Sequence, residues 1–578
     1  MRIPAIVLVA TVSFGALSAL WSVVVPLLEA PDEPDHLALV LVLADGRPYP
    51  AYDGLMSPLS VYRTCYEYAA SIRACPRTDE IVTPTGTRRH PRQQAPPKVL
   101  RPTWKDRNGA APVGALNQMP QHPPLYYELM AGVLRVERRI RGGPWSLDRE
   151  IALLRLANAL LVMPLPLLAW WAARRFGLDQ TTSIAASFAM FGVPMLTHIG
   201  STLNNDNLLT VCGAVVIALL AGVLRGDRSL KTGALLGVAI GVALLTKAFA
   251  AVFPPLAILA YLIGARSTWP GAATTDGAEA RHGLDDASAD AVDDDLFVPD
   301  TVPCTTRSWR ESLLAIIAPL GLAGLVTVVL SAWWYLGVHS RTGSFTPTVE
   351  DAALTSDLQT KGFTPHVGGW IGDFIANVNT RFWGSFGWFA VSFTGPLAVA
   401  LSVIVVLAVG SALATRRTPG AVGRSPGRLA RLWLLTPTAA LTVLVAGRSW
   451  NIYATTSKLI FAQGRYLFAG IVGLALLVAI GARRAFGRRT PFVLIGAAGL
   501  LQLHALRRCL TVFWGLPGLG PRGQTKAMVA YSGWPGSMVA AIAVVALLCG
   551  LAMAGGLVHL GLHDPDATEA VPVGSDAP

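Results

Sequence analysis

The residues of this chain with chemistry to offer fall in six short clusters. The densest is Ala30-Pro31-Asp32-Glu33-Pro34-Asp35-His36, which puts three carboxylates and an imidazole within five residues. Its prolines keep the backbone out of regular helix. Such a cluster can take a proton from an acceptor hydroxyl, or hold a divalent cation through Asp32, Glu33 and His36. It can equally be a solvated cap with acid at the next helix start. Gln121-His122-Pro123-Pro124-Leu125-Tyr126-Tyr127 opens an apolar helical stretch, with prolines suited to a helix start and His122 placed to meet a substrate or lie in a loop. Asn204-Asn205-Asp206-Asn207 offers either simple turn chemistry or hydrogen bonds to sugar hydroxyls. Thr246-Lys247 ends an apolar run, where a lysine must pair or snorkel and a phosphate is a natural partner. Arg381-Phe382-Trp383-Gly384-Ser385-Phe386-Gly387-Trp388 reads first as an interfacial aromatic belt. Gln463-Gly464-Arg465-Tyr466 supplies a guanidinium whose planar fork suits phosphate.

The elements that hold these clusters follow from composition. Of 578 residues 52% are hydrophobic and 14% charged, against roughly 25% charged in a typical soluble domain. That excludes a soluble multi-domain enzyme and leaves an all-α integral membrane protein. The net charge of +12 is read as a topology signal, and no nucleic-acid partner is inferred. With about 20 apolar residues needed to cross a bilayer, candidate spans lie at 4–28, 150–173, 181–199, 207–224, 232–247, 249–264, 312–337, 394–414, 431–447, 465–482, 491–509 and 536–560. These make about 12 transmembrane helices, and the pair within 232–264 can be a hairpin or one bent helix.

The segment 1–28 reads as a retained first helix, because it has no small-residue cleavage site. Arginines at 174–175, 225–228, 416–431 and 483–489 share one side and mark it as cytoplasmic, which puts both termini inside. The stretch 29–149 is then a long extracytoplasmic loop carrying the acidic motif, and 338–393 a second outward segment. Between the helices of 150–264 and the helix 312–337, the acidic loop 265–311 reads as cytoplasmic and disordered. The helices of 394–560 and a cytoplasmic tail at 561–578 complete the chain. Cys65 and Cys75, both in the first outward loop, can pair as a disulfide, whereas Cys212, Cys509 and Cys549 lie in spans as packing residues.

On this topology all six clusters collect on the outward face, which independent caps and belts would not require. Together, in order, they resemble the DUF2142 family of bacterial membrane proteins. The resemblance rests on Pro31-Asp32-Glu33-Pro34 with His36, His122 to Tyr127, Asn204-Asn205-Asp206, Phe382-Trp383-Gly384 with Phe386-Gly387-Trp388, and Gln463-Gly464-Arg465-Tyr466. It covers residues 29 to about 480; Ala30 stands where a proline is common, and the acidic insertion 265–311 is a further departure. That family resembles the GT-C glycosyltransferases, which use polyprenyl-phosphate-linked sugars and carry an acidic pair in the first outward loop. The resemblance implies Asp32 as general base, with Glu33 assisting or helping to bind a divalent cation.

The sequence therefore points to a membrane glycosyltransferase in the bacterial cytoplasmic membrane. It would move a sugar from a polyprenyl-phosphate donor to a cell-envelope saccharide or lipid acceptor on the outer face. Asp32 or Glu33 supplies the base, and Lys247, Arg381 or Arg465 steadies the leaving phosphate. His36, His122, Asn204, Asn205, Asp206, Gln463 and Tyr466 complete the expected substrate contacts. The rival is a transporter or flippase of lipid-linked saccharides, against which stand the absence of an internal repeat and the long loop after the first span.

Overall fold

The computed structural model describes residues 2–68, 97–107, 109, 112–267, 309–349, 362–423, 425–515 and 518–562. Its first half contains α1 (Ala5–Val24), α2 (Glu33–Ala44), α3 (Leu59–Tyr68), α4 (Leu125–Arg141), α5 (Leu147–Val162), α6 (Leu165–Arg175), α7 (Gln180–Ala189), α8 (Pro194–Gly200), α9 (Asp206–Val223), α10 (Leu230–Leu244) and α11 (Phe253–Ser267). The second contains α12 (Trp309–Thr342), α13 (Val367–Trp383), α14 (Gly395–Ala414), α15 (Arg428–Thr456), α16 (Ile471–Phe486), α17 (Thr490–Trp514), α18 (Pro521–Tyr531) and α19 (Gly536–Leu562). Two small antiparallel sheets complete it: β1 (Met56–Pro58) with β2 (Pro112–Leu116), and β3 (Ser385–Phe386) with β4 (Val391–Ser392).

Among the described residues nine helical stretches are long and apolar enough to cross a membrane, or ten if the pair Gln180–Gly192 and Pro194–Gly200, bent by 70°, is one span. One stretch, Gly464–Trp514, is 51 residues long, far beyond the ~20 a bilayer needs. It reverses at Gly487, where φ is 54°. Arg465 and Trp514 at its two ends both reach the α1 exit, on Asp32 and the Val24 carbonyl, while Arg483 near the break meets Asp179 at the opposite end. With the shorter apolar α10, every segment expected from the sequence falls on helical chain, though 150–173 is covered by α5 and α6 and 181–199 by the bent pair α7 and α8. The stretch 232–264 is two helices, parted by extended backbone at Lys247 and a 3-10 turn over Ala248–Val252.

α1 carries no charge and is mostly buried. α19 runs antiparallel along it, with Ser13 Oγ donating to the Cys549 carbonyl (3.3 Å). Beyond α1, Leu28 (φ 61°) and Asp32 (φ 60°) take left-handed backbone that non-glycine residues rarely adopt. The chain thereby turns back on itself, and Glu33 and Asp35 stand in the first turn of α2, where acid suits the helix dipole. α2 is buried almost all round beneath α4, which offers Tyr126, Tyr127, Met130, Ala131 and Leu134 on one face. Gly142 at φ 75° ends α4, whose last turn is basic.

The long loop after α1 is fastened to the far end of the chain. Arg101 is buried against Asp148 (2.5 Å) and donates to the carbonyls of Ala530 and Ser532, while Lys98 donates to the Val529 carbonyl. Cys65 is buried and disulfide-bonded; Cys75, its expected partner, lies outside the described residues. So does nearly all of the acidic loop 265–311, and the tail from 563.

Candidate active site

The turn that opens α2 divides the acidic pair. Asp32 lines a cavity of about 680 Å³. Glu33 does not. It is fully buried on Arg155, with the guanidinium Nε at 2.7 Å from Oε1 and Nη2 at 2.6 Å from Oε2. The Leu203 N–H also donates to Glu33 (3.2 Å), and Arg155 caps the carbonyls of Ser22, Val25 and Pro26 at the end of α1. Glu33 thus holds the turn in place, and its expected part in catalysis or metal binding finds no support in its position.

Asp32 instead joins a chain of charges. Arg465 Nη2 lies 2.5 Å from Asp32 Oδ2, Arg465 Nε is 3.2 Å from Asp206 Oδ2, and Lys247 Nζ is 2.5 Å from Asp206 Oδ1. All four are largely buried, with Asp32 the most accessible at 15% of its side chain. Two carboxylates balance two cations, and Tyr466 covers them, 4.6 Å from Lys247 and 5.2 Å from Arg465 to the ring centre. Lys247 reaches this site because the membrane helix breaks there. The freed Leu245 and Leu244 carbonyls accept from Leu125 N–H (3.1 Å) and Tyr335 O–H (2.8 Å). Irregular backbone at membrane depth is tolerated where it borders a cavity and its polar groups are met in this way.

The Asn204–Asn207 turn is buried, not solvated. Asn204 Oδ1 accepts from Asp206 N–H (2.8 Å), and Asn207 binds Asn158 (2.9 Å), which also receives Tyr126 O–H (2.9 Å). Asn204 and Asn205 line the cavity beside Arg465. Among the described residues Asn204 Nδ2, Asn205 Nδ2 and Arg465 Nη1 are buried donors with no acceptor. Buried polar groups are seldom left so, and three around one cavity make a cradle for oxygen atoms, with the N-terminus of α9 behind it.

His36 and His122 also line the cavity. His36 Nδ1 shares a hydrogen bond with Tyr127 O–H (3.0 Å), and the His122 carbonyl accepts from Tyr49 (2.8 Å). Burial pushes both imidazoles well below their usual pKa; His122, Arg465 and Lys247 add to this at His36, and Lys247 and Arg465 at His122. Both therefore stand neutral at neutral pH. Asp35, one turn from Asp32, is pushed up to about 7 by burial and by the Asp32 charge, against a hydrogen bond from Tyr62.

Asp32, Glu33 and His36 do not converge as a metal site. Among the described residues no group of three His, Cys, Asp or Glu side chains is placed to hold an ion. The positive charge between Asp32 and Asp206 comes from Arg465.

Three expected contacts lie outside the cavity lining: Arg381, Gln463 and Asp206, which instead pairs with Lys247 and Arg465. Arg381 donates to the Ala462 carbonyl (2.9 Å) and stacks on Phe389, 4.2 Å from the ring centre, so it braces the strand of chain that leads to Arg465. Gln463 sits in that same strand and does not line the cavity. The aromatic run is a buried wedge, not a belt. Trp383 donates to Ser402 (2.7 Å), Phe386 stacks on Trp21 at 4.9 Å, and Gly387 N–H donates to His198 (3.2 Å). The tight β3–β4 pairing turns these side chains inward.

Sequence reasoning missed Arg155 and Arg448. Arg155 hid inside an apolar span, where any arginine signals a buried partner. Arg448 lies just past the expected end of a span; α15 continues to Thr456 and presents Arg448 to the cavity, donating to Thr348 (2.7 Å).

No curated protein is similar enough to count as a relative. The crystal structure of ArnT from Cupriavidus metallidurans bound to undecaprenyl phosphate is similar at 15% identity, over 98% of this chain and 80% of that one, with a TM-score of 0.40. The apo oligosaccharyltransferase of Archaeoglobus fulgidus is similar at 12% identity, over 91% of this chain and 56% of that one, with a TM-score of 0.37. Residues 16–474 match the family described as "Predicted membrane protein (DUF2142)", so this multi-pass membrane protein belongs to the DUF2142 family.

Proposed function

We propose that the protein is a glycosyltransferase that takes a sugar from a polyprenyl-phosphate donor and passes it to a cell-envelope acceptor at the outer face of the cytoplasmic membrane. The observation that carries this reading is the cradle: Arg465 Nη1 and the amides of Asn204 and Asn205 are buried donors without acceptors, on a cavity that also holds Lys247 and the carboxylate of Asp32. Such a set suits a phosphate whose negative charge grows as it leaves. The cavity is also bordered by Ala251 and Val443, which are exposed on the outside of the helices. An isoprenoid chain entering there would stay in lipid while its phosphate reached the cradle.

The chemistry follows from one accessible carboxylate. Asp32 takes the proton of an acceptor hydroxyl, the oxygen forms a bond to the anomeric carbon, and the bond from that carbon to the phosphate oxygen breaks. The electron pair leaves on the phosphate, which Arg465 and Lys247 steady. Asp206 holds these two cations in register. Among the described residues Asp32 is the one carboxylate that lines the cavity, and a single base there suits one displacement with inversion. The neutral imidazoles of His36 and His122 offer hydrogen bonds without competing for the phosphate. The arginine-rich ends of α6 and α16 lie opposite the cavity, which supports placing the cavity outside.

Purified protein in proteoliposomes, given lipid extract from host membranes, tests this. A transferase releases polyprenyl phosphate and yields glycosylated product. Intact donor appearing in the other leaflet, with no bond cleaved, would replace the reading with a flippase.

A further inference from the structure

The cavity has two unlike halves. One holds Asp32, Lys247, Arg465 and the asparagine amides. The other is built by three separate segments: the turn before α4 with Gln118 and Gln121, the stretch after α12 with Thr346 and Thr348, and the outer part of α15 with Arg448 and Asn451. These segments are tied together. Val349 N–H donates to Gln121 Oε1 (3.2 Å), and Arg448 donates to Thr348 Oγ1 (2.7 Å) while lying 5.5 Å from the Phe461 ring centre. The stretch is thus clamped from both sides and presents its threonines as a wall.

The chemistry of this wall is amide and hydroxyl, with the Arg448 guanidinium turned onto Thr348. Among the described residues no carboxylate lines it. Neither small sheet lends it an edge for a peptide backbone. Amides and hydroxyls that can each donate or accept match the vicinal hydroxyls of a carbohydrate. Phe249, Phe461 and Tyr466, also on the cavity, give flat faces for the C–H side of a sugar ring. The volume of about 680 Å³ is in the range of sites that enclose a ligand of several rings.

We propose that this second half is the acceptor subsite and that the acceptor is a glycan, not a polypeptide and not a bare lipid. Arg448 is a positioning residue that holds the Thr346–Thr348 wall. This rests on the glycosyltransferase reading for the word acceptor; the carbohydrate site itself does not.

Site-specific photo-crosslinking separates the two. The benzophenone amino acid p-benzoylphenylalanine is placed at Gln121 or at the exposed Thr346, and separately at Val443 on the lipid border. The full-length chain is irradiated in host membranes, purified and analysed for adducts. The expected result is periodate-sensitive carbohydrate on the 121 and 346 variants, at about tenfold or more over unirradiated protein, and isoprenoid phosphate on the 443 variant. An isoprenoid adduct at 443 together with polypeptide, isoprenoid alone or no adduct at both 121 and 346 overturns the glycan inference and leaves the transferase reading standing. Carbohydrate at 346 with no isoprenoid at 443 keeps the glycan site and removes the lipid-linked donor. The two positions in the wall guard against one bulky side chain disrupting the fold.

Discussion

Neighbouring carboxylates in the acidic motif carry different burdens, and their variants should fail in different ways. Glu33→Gln strips charge from a pair that is fully buried, leaving Arg155 uncompensated. Breaking such a pair typically costs about 3–5 kcal/mol. The variant should therefore express poorly and unfold at lower temperature by thermal-shift assay; unchanged stability would contradict the structural role. Asp35→Asn should act through pH. The Asp35 carboxyl is raised from 3.8 to about 7 in the fold, so the folded protein loses stability as pH rises from about 4 through about 7 and loses no more above that. The asparagine lacks this penalty, so its melting temperature should exceed the parent's by more at pH 8 than at pH 5. An equal difference at both pH values would show that Asp35 is not shifted. The sequence made Asp32 and Glu33 look interchangeable, because residue types do not report which way a left-handed turn at Asp32 points each side chain. Arg465 and Lys247 were legible for the opposite reason, since a cation in an apolar run has few harmless places to go.

Elements place these side chains through close contacts that sequence motifs only hint at. Gly464 is packed so tightly that a β-carbon there would stand 2.3 Å from the Phe382 backbone nitrogen. Gly464→Ala should push the strand bearing Arg465 away from α13, lowering transfer by tenfold or more while the protein still inserts; wild-type rates would mean that the Phe382 contact does not position Arg465. Arg381→Ala should do the same more mildly, because it removes one brace from the Ala462 carbonyl. Helix positions were readable from hydropathy alone. What was not readable was the break at Lys247 as a functional device, or the extra turns of α15 past position 447, since periodicity carries no information on a cavity formed by α15, the stretch after α12 and the turn before α4. The aromatic run misled for a similar reason: tryptophan and phenylalanine serve both belts and cores, and only the β3–β4 turn decides between them.

At the scale of the molecule, one end of the bundle carries the cavity and the other carries the arginines of α6 and α16. Cysteine placed at the exposed Ser344 should react with a membrane-impermeant maleimide on intact cells, and cysteine at Arg488 should react only after lysis. The reverse pattern would turn the site to the cytoplasm. Transfer as proposed needs Asp32 to act on a donor held by the cradle. Its most direct measurement is the rate at which purified protein releases polyprenyl phosphate from lipid-linked sugar of host membranes, for the parent chain and for Asp32→Asn. The account predicts release by the parent, and a loss of about 100-fold or more in the variant, the scale expected for a positioned base, with donor still bound. Release by Asp32→Asn at the parent's rate would contradict it.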